Sequence, residues 1–232
     1  MPNAIDIATL EEQKPYPITF CYVFVEYGHP EAAVWLQYWK AAISHTYPDC
    51  AWATLPYQTP QSSFVAARCQ AYAKMRQLVR GNLVFLDVDC LAYSRCDPFV
   101  DDFDIGLTTS EKTWPLMPFN GGVIFSKDTP GAQAFFDRVK EGSNNIAEGM
   151  QDWWLDQLSM RLAYDQMKDD KVKFKIFPHE MYNFVPDGPQ ATDAYFVHCK
   201  GDRKYLLRQY LATILGTDHF KFHNPNIPRQ VT

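Results

Sequence analysis

The feature that most constrains the fold is an alternation of strand-like and helix-like segments between residues 18 and 86. The segment "ITFCYVFVEYG", Ile18–Gly28, is rich in β-branched and aromatic residues and ends at a glycine, which is typical of a strand. The next segment, Pro30–Ser44, has proline at a helix-entry position and apolar residues at helical spacing. "CAWATLP", "SSFVAARCQAYAKMRQLV" and "LVFL" then predict a second strand, a second helix and a third strand. This order predicts an α/β protein whose sheet carries helices on its faces.

Size and composition favour one domain without a nucleic-acid partner. A chain of 232 residues with 47% hydrophobic content can bury a sizeable core, and it contains no linker that would divide it. We therefore predict a single domain over residues 1–232, with 1–16 and 224–232 as loose tails. The net charge of -5 disfavours a surface built for a polyanion.

Cysteine usage and the N-terminal sequence indicate a cytoplasmic protein. The six cysteines show no repeated short spacing, so we expect reduced thiols and neither a disulfide scaffold nor a zinc ribbon. The N-terminal segment lacks the apolar core of a signal peptide, and no segment reaches the roughly 18 apolar residues that a membrane span needs.

Asp87 and Asp89 follow the apolar run Leu83–Leu86, at the strand end where ligands of α/β sheets bind. Residues two apart on an extended backbone point the same way, so both carboxylates could face one ligand while Val88 turns toward the core. Two like charges this close repel each other, and a cation would relieve the repulsion. Their oxygens suit Mg²⁺ or Mn²⁺, and a diphosphate could complete the coordination shell. The alternative is a solvated acidic turn.

Polar residues in the later segment "FNGGVIFS" are candidates for sugar binding. Asn120 could hydrogen-bond a sugar hydroxyl, while Gly121 and Gly122 would let backbone approach a ligand closely. The alternative is the entry of a plain hairpin.

The segment "VHCKGDRK" offers a third metal ligand and a phosphate contact. His198 at a strand end could complete the metal site, and Gly201 could let the loop fold so that Lys204 neutralises a phosphate. Two acidic oxygens and one histidine nitrogen form a set that Mn²⁺ tolerates. The alternative is a surface histidine in a polar loop.

The segment "QDWWLDQLSMRLAY" predicts a helix with acidic residues on one face. Asp152 and Asp156 are i,i+4 neighbours, with Gln157 adjacent, and they could position the donor sugar or the acceptor hydroxyl. Trp153 and Trp154 could stack on a sugar ring. The alternative is a solvated acidic edge beside a tryptophan-filled core.

Four of these motifs together resemble a known family. "LVFLDVDCL", "FNGGVIFS", "WLDQ" and "HCKGDRK", in this order, resemble the GT-A-fold glycosyltransferases that use nucleotide sugars. The likeness is nearest to the retaining, family 8-like group that includes glycogenin and the bacterial lipooligosaccharide galactosyltransferases. It spans about Ile18 to Lys204 and implies a single GT-A-type, Rossmann-like domain with a mixed, mostly parallel central sheet flanked by helices.

The resemblance also implies roles for individual residues. Metal ligation falls to Asp87, Asp89 and His198. Donor contacts fall to Lys74, which stands for a basic residue often found as arginine, and to Val88, Asn120, Gly121, Gly201 and Lys204. The catalytic candidates are Asp156 and Gln157, which would face the sugars. Asp152 or Asp156 could serve as the base that an inverting enzyme would need. The sequence departs from the family's usual Asn-Ala-Gly, which is Asn-Gly-Gly here.

The function that the resemblance implies is Mn²⁺- or Mg²⁺-dependent transfer of a hexose from a nucleoside-diphosphate sugar, a UDP-sugar first of all, to an acceptor hydroxyl. Retention is favoured because it needs no carboxylate base. The acceptor stays open among a glycan, a protein side chain, a lipid-linked glycan and a modified nucleobase. Two alternatives remain. One is a haloacid-dehalogenase-type phosphatase that uses Asp87 and Asp89, with Lys168–Asp170 as its later elements. The other is a non-catalytic module that binds a nucleotide sugar or glycan.

Overall fold

The computed structural model describes residues 3–5, 16–26, 31–58, 64–114, 117–145, 154–169 and 172–217. Its strands are β1 (Asn3–Ile5), β2 (Ile18–Glu26), β3 (Ala51–Gln58), β4 (Asn82–Leu86), β5 (Cys90–Ala92), β6 (Ile105–Trp114), β7 (Met117–Ser126), β8 (Phe174–Phe177) and β9 (Phe196–His198). Its helices are α1 (Ala32–Thr46), α2 (Phe64–Leu78), α3 (Pro130–Asn145), α4 (Leu155–Met167), α5 (His179–Tyr182) and α6 (Leu207–Ile214), with a 3₁₀ helix at Gly201–Leu206.

Within these ranges the main sheet has seven strands in the order β1-β3-β2-β4-β7-β6-β8. The strands from β1 to β4 are mutually parallel, β7 is antiparallel to both β4 and β6, and β8 is parallel to β6. A separate antiparallel pair joins β5 to β9. The prediction of an α/β fold with a mixed, mostly parallel sheet is therefore confirmed.

Strand β4 lies at the centre of the sheet and is covered on both faces. Leu83 and Phe85 belong to an apolar cluster shared with α2, α3 and α4, whereas Val84 and Leu86 belong to a second cluster shared with α1. All four side chains are buried. A strand buried on both faces has a continuous apolar sequence, which explains "LVFL". The buried strand fixes the position at which Asp87 leaves the sheet.

The N-terminal stretch departs from the sequence prediction. Asn3–Ile5 lies within the segment predicted to be a loose tail, yet it pairs in parallel with Ala51–Ala53 at the edge of the sheet. The prediction is wrong at these three residues, because backbone hydrogen bonds to an open strand edge need no side-chain pattern. Residues 224–232, the other predicted tail, lie outside the described residues.

The cysteines and helices agree with the remaining sequence expectations. All six cysteines carry free thiols. Among the helices that the structure describes, none combines the length and apolar character that a bilayer crossing requires.

Candidate active site

A tight turn at the carboxyl end of β4 sets the positions of both acidic residues. Asp87 donates its backbone N–H to the Gly122 carbonyl over 2.9 Å, and the Cys90 N–H closes the turn on the Asp87 carbonyl over 2.9 Å. The backbone from Asp87 to Asp89 is thus not extended, so the two-residue periodicity of a strand does not apply to it. The two carboxylates contact different partners. Val88, between them, is half-buried against a third apolar cluster that includes Leu91.

Asp87 joins a partly buried cluster with Arg68 of α2 and Asp156 of α4, which we call the Asp87 cluster. Arg68 Nη2 contacts Asp87 Oδ1, and Arg68 Nη1 lies 3.3 Å from Asp156 Oδ2. Arg68 also donates from Nη2 to the Gly121 carbonyl over 3.0 Å and from Nε to the Tyr72 hydroxyl. The guanidinium therefore meets four acceptors and is a cation held entirely by the protein.

Asp156 is held at the start of its helix. It lies in the first turn of α4, where a negative charge is favourable, and its Oδ1 accepts the Gln157 backbone N–H over 2.7 Å. A Cβ added at Gly121 would lie 2.9 Å from Asp156 Oδ2, so the glycine leaves room for this carboxylate beside β7. Gln157 is half-buried next to it. Asp152 and Trp153 lie outside the described residues.

Asp89 joins a second cluster with His198 and Lys204, which we call the Asp89 cluster. Asp89 Oδ1 lies 3.3 Å from His198 Nε2, and Asp89 Oδ2 lies 3.1 Å from Lys204 Nζ. The antiparallel register of β5 and β9 places Cys90 opposite His198, which brings residues more than 100 positions apart into contact. Gly201 then adopts a positive φ of 61°, and this turn leads into the 3₁₀ helix that carries Lys204.

The Asn-Gly-Gly segment shapes the site from β7. Asn120 is buried, and its Oδ1 accepts the Gly122 backbone N–H over 2.8 Å. That oxygen therefore accepts a hydrogen bond from the β7 backbone, whereas the sequence analysis predicted that Asn120 would hydrogen-bond a sugar hydroxyl. A Cβ at Gly122 would lie 2.4 Å from His198 Nδ1, so only glycine leaves space for the imidazole ring.

Burial is the largest influence on the pKa of both aspartates, and their surroundings drive them apart. For Asp87, burial raises the pKa despite the opposing charge of Arg68, and the negative charge of Asp89 raises it further. For Asp89, the charges and hydrogen bonds of His198 and Lys204 outweigh burial and lower the pKa. The pKa values of Asp87 and Asp89 therefore shift in opposite directions, although only Val88 separates the two residues.

Two basic residues of α2 lie on different faces of the helix. Lys74 is exposed. Arg68, six residues earlier and hence about 240° around the helix, is the α2 residue that contacts the acids. Arg68 follows Val65 by three positions and precedes Tyr72 by four, on the buried face of α2. A charged residue within an apolar helical stripe is rare unless it is paired, and that signal could have identified it.

The donor set of the Asp89 cluster fits a divalent cation. The potential ligand atoms of Asp89, Cys90 and His198 all lie within 4.8 Å of one another, and the three residues are buried. A carboxylate oxygen and an imidazole nitrogen are common ligands of divalent metals, Mn²⁺ included. Asp87, the third predicted ligand, instead contacts Arg68. The structure thus brings Asp89, His198 and Lys204 together and places Asp87 with Asp156.

Sequence comparisons with protein-family models and with curated proteins give no match. Comparison with solved structures does. The chain is similar to a glycosyltransferase involved in the glycosylation of the major capsid of PBCV-1, with 15% identity, a TM-score of 0.57, and coverage of 83% of this chain and 98% of that one.

It is also similar to the glycosyltransferase GlyE of Streptococcus pneumoniae TIGR4. In the apo form the identity is 10% and the TM-score 0.59, and in a second structure of GlyE they are 11% and 0.54. Each likeness covers 88% of this chain but only 63% of GlyE. At these identities the likeness establishes the fold, and the chain has the fold of these glycosyltransferases.

Proposed function

We propose that this protein is a metal-dependent glycosyltransferase that moves a hexose from a nucleoside-diphosphate sugar, a UDP-sugar first of all, to an acceptor hydroxyl with retention. The observation that carries the proposal is the Asp89 cluster. It combines two candidate metal ligands with a lysine at the carboxyl end of a central strand, where α/β sheets bind ligands. The glycosyltransferase fold supports transfer of a sugar as the reaction.

Asp89 and His198 would hold the metal, Mn²⁺ or Mg²⁺, and Asp87 would join them on leaving Arg68. A divalent ion bound there supplies a Lewis acid that offsets the charge of a diphosphate. The fit rests on the facing pair of acceptor atoms, Asp89 Oδ1 and His198 Nε2, which are 3.3 Å apart.

Lys204 would bind the leaving diphosphate. Its side chain is 27% exposed, so its ammonium reaches both Asp89 and a ligand at the surface of the site. As the anomeric bond breaks, the leaving group gains negative charge, and a lysine already in place stabilises that charge. The positive φ of Gly201 supports this role because it shapes the loop before the lysine.

Arg68 and Asp156 would face the donor sugar. Both are paired next to Gly121, Asp156 buried and Arg68 partly buried, where backbone and side-chain groups can bind sugar hydroxyls. Asp156 already receives hydrogen bonds or ion pairs on both oxygens, from Gln157 and Arg68. It is therefore poorly placed to take a proton from an acceptor, which supports a retaining enzyme like those of the glycogenin group.

The phosphatase alternative gains no specific support. It assigns a role to Lys168, which pairs with Asp165 over 3.3 Å on the surface of α4, while Asp170 lies outside the described residues. The non-catalytic alternative leaves the metal-ligand set at the diphosphate position without a purpose. We therefore retain transfer as the proposal.

A donor screen tests the proposal. Thermal unfolding is measured with UDP, UDP-sugars and other nucleotide sugars, with Mn²⁺ and with chelator. We expect UDP to raise the Tm only with the cation, because a ligand that binds the native state stabilises it by mass action. Asp89→Ala should remove that effect, whereas Asp102→Ala, on an exposed carboxylate, should keep it. Release of phosphate from small phosphoesters without any response to nucleotide sugars would overturn the proposal and favour the phosphatase.

A further inference from the structure

The imidazole of His198 has a second, fully buried partner that the proposed reaction does not use. Its Nδ1 lies 2.9 Å from Asn183 Oδ1, and Asn183 donates from Nδ2 to the Thr108 hydroxyl over 3.0 Å. His198 is 4% exposed, Asn183 1% and Thr108 0%. Polar side chains buried this deeply are retained where each hydrogen bond is satisfied, so the directions of the bonds are meaningful.

The hydroxyl of Thr108 fixes the direction of the whole chain of bonds. It lies 3.1 Å from the Asn120 carbonyl and 3.0 Å from the Val123 carbonyl, and both can only accept. The hydroxyl therefore donates to a carbonyl and accepts from the Asn183 amide nitrogen. The Asn183 oxygen consequently faces His198 Nδ1, which must carry the hydrogen.

When the ring is neutral, this tautomer leaves the lone pair of His198 on Nε2, directed at Asp89. Asp89 Oδ1, 3.3 Å away, favours the opposite tautomer, because a hydrogen on Nε2 could be donated to the carboxylate. A hydrogen on Nε2 would occupy the lone pair that a metal needs. Asn183 therefore favours the Nδ1–H tautomer of His198, whereas Asp89 favours the Nε2–H tautomer.

The position of Asn183 is built into the backbone. The His198 N–H donates to the Phe184 carbonyl over 2.7 Å, and the Phe184 N–H donates to the Phe196 carbonyl over 3.0 Å. These bonds hold residue 183 beside the ring. On the other side the ring packs on Gly122, where a Cβ would lie 2.5 Å from Cε1. The ring is therefore held in one plane between β7 and Asn183.

We infer that Asn183 is a positioning residue that holds His198 as the Nδ1–H tautomer and so keeps Nε2 available as a metal ligand. The inference rests on the proposed function for its metal, while the tautomer belongs to the protein without metal. Residues that bond the outer nitrogen of a metal-binding histidine set its tautomer and orientation, and their loss typically lowers metal affinity about 10- to 100-fold.

The test compares Asn183→Leu, of similar volume, with Asn183→Asp, which restores an acceptor. The tautomer of His198 is read from ¹⁵N imidazole NMR on the metal-free protein, at a pH at which the spectrum shows the neutral ring. Mn²⁺ affinity with UDP is measured separately by calorimetry. We expect Nδ1–H in the wild type, a shift to Nε2–H and about 10- to 100-fold weaker Mn²⁺ binding in Asn183→Leu, and rescue of both by Asn183→Asp.

Thr109→Val serves as the control, and Thr108→Val replaces Asn183→Leu as the test variant if Asn183→Leu does not fold. Thr109→Val removes the next hydroxyl along β6, which contacts His179, and should change neither readout. Thr108→Val keeps Asn183 but removes the group that orients its amide, and should shift the tautomer in the same direction as Asn183→Leu.

Two outcomes would overturn the inference: an unchanged His198 tautomer in both the Asn183 and the Thr108 variant, or Mn²⁺ affinity within twofold of wild type in Asn183→Leu. A wild-type protein that does not bind Mn²⁺ with UDP would overturn the proposed function instead. In that case the NMR measurement still decides whether Asn183 sets the tautomer.

Discussion

The Asp87 cluster and the Asp89 cluster lie on either side of one short turn and differ in how completely the protein satisfies them. In the first, Arg68 binds two carboxylates, a carbonyl and a hydroxyl, so each charge already has a fixed partner. In the second, the Asp89 carboxylate faces the His198 imidazole, and the Lys204 ammonium that contacts Asp89 is partly exposed. The comparison shows that two aspartates separated by one residue can have different partners and different environments. The Asp89 cluster keeps groups that a cation could use, whereas the charges of the Asp87 cluster are already paired with one another.

Removing the cation of the Asp87 cluster is expected to have the largest effect on stability. Arg68→Met leaves Asp87 and Asp156 buried without their counter-charge, which should cost about 3 kcal/mol of unfolding free energy at neutral pH. The loss should shrink in acid, because protonation removes the uncompensated charges. Chemical denaturation at several pH values measures it. Arg138→Met, which breaks an exposed pair with Glu141, is the matched control and should cost about 0.5 kcal/mol or less. Equal losses of unfolding free energy in Arg68→Met and Arg138→Met would show that Arg68 does not hold the Asp87 cluster together.

Adding one methyl group to each neighbouring glycine probes the two clusters separately. Gly122→Ala drives a Cβ to 2.4 Å from His198 Nδ1, and we expect a loss of about 2–3 kcal/mol together with loss of Mn²⁺ binding. Gly121→Ala meets the end of the Asp156 side chain at 2.9 Å and should cost about 1 kcal/mol, with Mn²⁺ binding kept. Denaturation and calorimetry on both variants check this. A larger loss of stability in Gly121→Ala than in Gly122→Ala would show that the His198 ring can move away from an added methyl group.

The two acids should give stability opposite dependences on pH. The pKa of Asp89 is lowered in the folded state, so its ionised form stabilises the protein above the unfolded pKa of about 3.9, and this contribution is lost as the pH falls below that value. Asp89→Asn should therefore cost about 2 kcal/mol at neutral pH, with the deficit closing in acid. The pKa of Asp87 is raised, so its ionisation weakens the fold as the pH rises.

The Asp87→Asn variant is the partner experiment. We expect it to lower stability at neutral pH by less than Asp89→Asn does, because it also removes a charge whose burial is unfavourable. Parallel pH profiles of unfolding free energy for the two variants would contradict opposite pKa shifts.

The smallest effect on stability is expected at Lys204. Its ion pair is partly exposed, so Lys204→Met should change the unfolding free energy by about 1 kcal/mol or less. UDP affinity with Mn²⁺ should nevertheless fall about tenfold, as loss of one charge-assisted bond predicts. Lys173→Met, which breaks an exposed pair with Asp102, should change neither quantity. Unchanged UDP affinity in Lys204→Met would remove the lysine from the donor site.

Much of the central fold could be predicted because its physical cause is local. The run Leu83–Leu86 has only one environment that satisfies four consecutive apolar residues on a strand, namely a sheet covered on both faces. The end of that strand then locates Asp87. The contact between Asp89 and His198 depends on the register of two short strands far apart in sequence. The position of His198 at a predicted strand end suggested the contact, and the family resemblance supported it.

The rest could not be predicted because it depends on side-chain directions set by tertiary structure. The turn after β4 separates Asp87 from Asp89, although an extended backbone would have aligned them. Arg68 was missed because its stripe on α2 was interpreted only as apolar. Asn183 follows a four-residue helix and carries no recognisable motif, so its contact with His198 is visible only in the folded chain.

The pairing of Cys90–Ala92 with Phe196–His198 has a consequence for how the protein folds. Closing a loop of more than 100 residues is entropically costly and slow, so contacts of this kind form late. Until the segment that carries His198 and Lys204 docks, Asp89 contacts neither the imidazole nor the ammonium. The ion pair between Lys204 and Asp89 favours the docking of that segment. A metal that needs both Asp89 and His198 is therefore expected to bind only after this pairing has formed.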